Sequence, residues 1–273
     1  MESYTMKTII IFLILLSVLL QASDFHDIIK KEKTEQKIAL IIGNSKYTNL
    51  PHLKNPLNDA RLIRDTFKKK GFTILYKENA NIREMKKLLR KFAYKIRQGG
   101  VGFYYFAGQS VNVDGKNYQV GIDASLDNKV YISHEAIPLN NIIKKMRSAG
   151  NRLNVIISDT CRNTIAITSY GNHHFDRGVG RGLNPLSNTE GIFIAFTTAA
   201  DEMARDGKES SNGILTKYFV KNLTKGSANL KEVFTNIEKD VYTHTDAKKN
   251  SVAYNQIMND YFFILPPLKH KKQ

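Results

Sequence analysis

Leu153-Asn-Val-Ile-Ile-Ser-Asp-Thr-Cys161-Arg-Asn163 runs from an apolar, β-branched stretch into short polar residues, and it holds the only cysteine of the 273-residue chain. An apolar run of this length closed by turn formers predicts a strand covered on both faces. Lys37 to Ile42, Phe72 to Tyr76, Val101 to Phe106 and Ile192 to Thr198 have the same character. Between them Leu57, Ala60, Ile63 and Phe67 fall at helical spacing, as do Met85, Leu88, Leu89, Phe92 and Ile96 after a cap at Asn81. Further helices are expected around Ile142, Ile143 and Met146, and from Leu230 to Val241. Strands alternating with helices of this length predict an α/β protein, a three-layer αβα sandwich with a mostly parallel central sheet.

In such sheets reactive groups gather where the strands end. Cys161 and, after Val101 to Phe106, Gln109 both follow strands at that edge. Composition alone allows Cys161 two readings, a buried small apolar residue or a reactive thiol, and favours the first. A single cysteine excludes an internal disulfide. The stretch 164–191 is rich in Gly, Asn and Ser and reads as a long surface loop. Its Arg177-Gly-Val-Gly-Arg181-Gly lacks the preceding strand and following helix of a dinucleotide fingerprint.

The order of motifs resembles the caspase-type cysteine peptidases, in particular the bacterial caspase-like and metacaspase branch. The matching pieces are Ala39-Leu-Ile-Ile-Gly-Asn44, Leu53-Lys-Asn-Pro56-Leu-Asn-Asp59-Ala60, Phe103-Tyr-Tyr-Phe-Ala-Gly108, Gly115-Lys-Asn-Tyr118, Ile122-Asp123 and Asp159-Thr-Cys161-Arg162-Asn163. Ala195-Phe-Thr-Thr198, Ala204-Arg-Asp206-Gly207 and Asn212-Gly-Ile-Leu-Thr216 continue it.

The resemblance makes Cys161 the nucleophile and implies a histidine in a Gly-His-Gly turn about 50 residues upstream. That turn here reads Gly108-Gln109-Ser110, with Gln109 preceding Cys161 by 52 positions (161 minus 109). Glutamine has no titratable proton and cannot take the thiol proton or return one to the leaving amine. Ser110 occupies the position whose backbone N–H serves the oxyanion, and a positive φ there would penalise its side chain. By resemblance Asp159 lines a pocket for a substrate Arg or Lys, and Asp206 completes it. The expected function is a caspase-family homologue, a cysteine-type endopeptidase relative with impaired catalysis that keeps its nucleophile and an Arg/Lys pocket. The alternative is an active endopeptidase cutting after Arg or Lys with an atypical base. Of the other histidines, His52 sits in the loop before Asn55-Pro56 and His134 precedes a helix, and both read as solvated surface residues rather than as the base. His173-His174 has no Cys or carboxylate at zinc spacing, so no metal and no cofactor are expected.

Thr8 to Leu20 carries no charge and follows Lys7, the pattern of a signal peptide over residues 1–22, with an uncleaved anchor as the rival. Residues 23–36 form a charged lead-in, 37–263 the domain and 264–273 a basic tail. Export to the periplasm or medium is the corresponding expectation. Forty-one Lys and Arg against 25 acidic residues give a formal charge of +16. Such a balance favours anionic partners, here an envelope component, but the basic residues are spread over helix faces and no nucleic-acid motif accompanies them, so a solvated surface is the preferred reading.

Overall fold

The computed structural model describes residues 35–97, 99–114, 116–161, 164–167, 173–176, 192–197, 212–224, 229–244 and 252–254. The expected leader 1–22, the expected lead-in as far as residue 34, Asp206 and the tail 264–273 lie outside them. The chain partitions into Met1–Glu35 and Gln36–Gln273, and every element below belongs to the second unit.

Its order is β1 (Lys37–Gly43), α1 (Pro56–Lys69), β2 (Thr73–Glu78), α2 (Ile82–Ile96), β3 (Val101–Val113), β4 (Lys116–Val120), a 3-10 turn (Lys129–Tyr131), α3 (Ile132–Glu135), β5 (Ala136–Pro138) and α4 (Leu139–Arg147). Then come β6 (Leu153–Cys161), β7 (Thr164–Ile167), β8 (His173–Asp176), β9 (Ile192–Thr197), α5 (Ile214–Thr224), α6 (Leu230–His244) and β10 (Val252–Tyr254). The main sheet runs β10-β9-β6-β3-β1-β2, with β4 and β5 attached through β3. All contacts from β9 to β2 along this path are parallel, and β10 is antiparallel. The mostly parallel three-layer sandwich is therefore the fold.

Period-two alternation sorts the strand residues into two cores. Ala39, Ile41, Phe103, Tyr105, Val155 and Ile157 meet α1, α5 and α6, where Phe67 stacks on Phe103 with ring centroids 3.9 Å apart. Leu40, Ile42, Tyr104, Phe106, Ile156 and Ile194 meet α2 and α4 on the opposite face. Burial on both sides explains why the strands read as unbroken apolar runs. The α2 helix starts as expected: Asn81 accepts from the Glu84 N–H at 2.9 Å while the Glu84 carboxylate accepts from the Asn81 N–H at 3.1 Å.

Two expectations need correction. Residues 164–191 are not loop throughout, because β7 and β8 pair as an antiparallel hairpin, Ile165 opposite Phe175. The β-branched Thr164-Ile-Ala-Ile167 supplies strand character that the surrounding Gly and Asn residues obscure. Gly108-Gln109-Ser110 is also not a turn. It lies inside β3, which keeps β6 as its partner as far as Gln109 and takes β4 from Ser110 onward. The small strands β4 and β5 with their side chains cover this extension: Val111 and Val113 bury against Val120, Leu126 and Ala136.

Candidate active site

The site lies at the carboxyl edge of the parallel sheet, where β1 and β6 end on either side of β3, which runs on to Val113. In the parallel register Ala107 faces Asp159, Gly108 faces Thr160 and Gln109 faces Cys161. The position of the proposed nucleophile is therefore the direct cross-strand neighbour of the position that would hold its base.

Gln109 is fixed by its surroundings. It is 1% exposed. Its backbone N–H donates to the Tyr47 hydroxyl at 2.7 Å, and its Nε2 donates to the Pro51 carbonyl at 3.4 Å. A Cβ on Gly108 would stand 2.6 Å from the Tyr47 oxygen, so glycine at 108 is what lets that hydroxyl reach the strand. Among the described residues no donor reaches the Gln109 Oε1, a buried acceptor left open. Pro51 precedes His52, which is exposed and so borders the site through its chain neighbour.

Ser110 is buried and its Oγ donates to Thr160 Oγ1 at 3.0 Å. The described non-glycine residues with positive φ are Asn79, Asp114 and Leu126. Ser110 is thus ordinary extended backbone, and the steric penalty expected for a side chain there does not arise.

Asp159 sits two positions before Cys161 on β6 and is 5% exposed. The Tyr105 hydroxyl contacts Thr216 Oγ1 at 2.6 Å, and Thr216 Oγ1 donates to Asp159 Oδ2 at 2.6 Å. Thr216 has one proton to give, so the chain of donation runs from Tyr105 through Thr216 to the carboxylate. Asp59, at the first turn of α1, is brought to the same place. Its Oδ1 accepts from the Gly213 N–H and from Asn212 Nδ2, both at 2.8 Å.

Gly213 separates the two acids: a Cβ there would lie 3.0 Å from Asp59 Oδ2 and 3.0 Å from Asp159 Oδ2. Burial pushes the Asp59 carboxyl well above its usual range, and the charge of Asp159 pushes it further, against hydrogen bonds from Asn212 and Gly213. Burial also raises the Asp159 carboxyl, partly opposed by hydrogen bonds from the Thr216 hydroxyl and backbone. Desolvation, followed by the two negative charges, raises the Tyr105 phenol well above its usual value. Among the described residues neither acid has a cationic partner within ion-pair distance. Nor does any group of three or more His, Cys, Asp or Glu suit a metal there.

Against known proteins, residues 36–263 match the caspase domain. The chain belongs to the caspase-domain peptidase family. Within this caspase domain the match takes in both Gln109 and Cys161 as well as Asp59 and Asp159. The chain is also similar to the mucosa-associated lymphoid tissue lymphoma translocation protein 1 of Homo sapiens, 27% identical over 196 residues, 69% of this chain and 22% of that protein. The Mus musculus homolog is 28% identical over 195 residues, again 69% and 22%. The chain spans about a fifth of the length of the curated relatives it matches.

Sequence reasoning brought Gln109, Ser110, Cys161 and Asp159 to one edge and missed Asp59, Tyr105, Thr216 and Tyr47. The Asp59 signal was present. Pro56, Asp59, Ala60, Ile63 and Phe67 form the buried stripe of α1, and a carboxylate on an apolar stripe is costly unless it has a task.

Proposed function

We propose that this caspase-domain protein binds peptides bearing Arg or Lys in a pocket floored by Asp59 and Asp159 and hydrolyses them very slowly or not at all. The observation that carries this reading is the register of Gln109 opposite Cys161. A cysteine with a pKa near 8.5 is only a few per cent thiolate at pH 7, and a neighbouring imidazole normally supplies both the base and the later acid. A carboxamide does neither, so attack on the carbonyl and protonation of the leaving amine both lack a proton carrier. Losing a triad member costs several orders of magnitude while binding survives.

Two buried carboxylates with no cationic partner among the described residues supply the complement to a guanidinium or ammonium, which would relieve their mutual repulsion. Export, suggested by the uncharged run from Thr8 to Leu20, would place such binding in the periplasm or medium.

The test is hydrolysis of Arg- and Lys-terminated reporter peptides by the full chain, its Gln109→His variant and Cys161→Ala. Wild type is expected at the Cys161→Ala background, with Gln109→His rising roughly 100-fold or more in a Cys161-dependent way. Substantial wild-type turnover abolished by Cys161→Ala would overturn the proposal. One observation bears on the active alternative: Gln109 contacts the Pro51 carbonyl, and exposed His52 is the next residue in the chain. On that reading His52→Ala removes wild-type turnover.

A further inference from the structure

The positive charge is unevenly distributed over the two helical layers. The helices α2 and α4 cover one sheet face together through Met85, Leu89 and Phe92, and Leu139, Ile142 and Met146. Opposite that buried stripe α2 exposes Arg83, Lys87, Arg90, Lys91 and Tyr94. Its one acid, Glu84, is turned away to Lys77 in an ion pair of 2.7 Å. Beside it α4 exposes Lys144 and Lys145 and contains no acid. The opposite layer is mixed: exposed Lys68 and Lys69 share α1 with Asp65, and Lys231 and Lys239 share α6 with Glu232 and Glu238.

We infer that the α2/α4 layer is a docking surface for anionic lipid headgroups. At 1.5 Å per residue the exposed cations of α2 from Arg83 to Lys91 form a row about 12 Å long. The second helix widens the row into a surface of one sign. Tyr94 stands 71% exposed within it, the kind of amphipathic ring that settles at headgroup depth. Long Lys and Arg stems lie along such an interface with their charges toward phosphate. A lipid surface suits this layer better than single-stranded nucleic acid, since one exposed ring provides no platform for successive bases. The uncharged stretch from Thr8 to Leu20, which reads as membrane-directed, gives the chain occasion to meet such a surface.

The experiment is sedimentation of the full chain with vesicles of phosphatidylcholine alone and with about a third phosphatidylglycerol. The anionic-to-neutral partition ratio cancels any contribution from residues 8–20. Replacing Arg83, Lys87, Arg90 and Lys91 by Gln should lower that ratio at least about 50-fold, since each basic residue at an anionic surface strengthens association roughly five-fold. Replacing Lys68, Lys69, Lys231 and Lys239 by Gln removes the same charge from the other layer and should lower it less than about five-fold. Circular dichroism melts of both variants should match wild type. Equal losses in the two variants would mean net charge alone acts, and an unchanged ratio in the first would mean that the layer does not dock. Either result overturns the inference, as does selective loss of RNA binding by the first variant with vesicle binding intact.

Discussion

Asp59 and Asp159 present one oxygen each to the same point, the space that a Cβ on Gly213 would fill, 3.0 Å from both. The two oxygens are therefore separated by at most twice that distance. Two full charges at about 6 Å repel by roughly 3 kcal/mol at an effective dielectric near 20. Burial adds to the penalty.

The pair makes stability depend on pH. Both carboxyls are raised above the unfolded value of roughly 4, so the native state holds protons that the unfolded chain releases. This contribution is complete below that pH and is lost as pH rises through the folded values. Urea midpoints between pH 4 and 8 should fall more steeply for wild type than for Asp59→Asn. Equal slopes would show that the pair does not titrate in this way.

Removing one charge should separate stability from binding. Asn at 59 can still accept from the Gly213 N–H, so Asp59→Asn should raise the melting temperature at pH 8. It should also weaken binding of an Arg-containing peptide at least about ten-fold, because a charge-assisted bond is replaced by a neutral one. Calorimetry of peptide binding beside thermal melts checks both halves, and undiminished affinity would remove the pocket from the proposal.

At Gly213 the constraint is space. Gly213→Ala forces a methyl between the acids and should cost about 1–3 kcal/mol, with the start of α5 displaced. Denaturant titration measures the cost, and a neutral effect would mean the acids can move apart freely.

Tyr47→Phe isolates the support of Gln109. The Gln109 N–H loses its acceptor in a buried place, a loss of about 1–3 kcal/mol. In the Gln109→His background the same change should lower the gained turnover as well as stability, because the strand that carries the new imidazole is no longer held. Turnover unaffected by Tyr47→Phe would make the hydroxyl merely structural.

Far from the site, Asn81→Ala should cost about 1 kcal/mol through loss of the α2 cap, with peptide binding unchanged.

The strands and the larger helices could be read from the sequence because their burial imposes a period. Five strands show as apolar runs, four of them central in the sheet and β2 at its edge, and α1 and α2 show as 3.6-residue stripes. The strands β4, β5 and β10 left little trace, since each is short and held mainly by its neighbours. The helix α5 carries few charges to mark its outer face, and its buried polar residues Thr216 and Asn222 interrupt the apolar pattern. The turn expected at Gln109 failed for a related reason: β3 continues because β4 is there to pair with it.

By itself the sequence determined the αβα fold, which follows from local pattern, while the readings of Cys161 as nucleophile and of Gln109 in place of a base rest on the resemblance to the caspase-type peptidases. Only the tertiary structure decided that Gln109 and Cys161 are cross-strand partners and that Asp59 joins Asp159 around Gly213. It also decided that basic residues outnumber acids more strongly on the α2/α4 layer than on the opposite one. Those relations depend on which strands lie side by side and which helix faces share a layer. The closure of long chain segments by packing settles both, and no single segment encodes them.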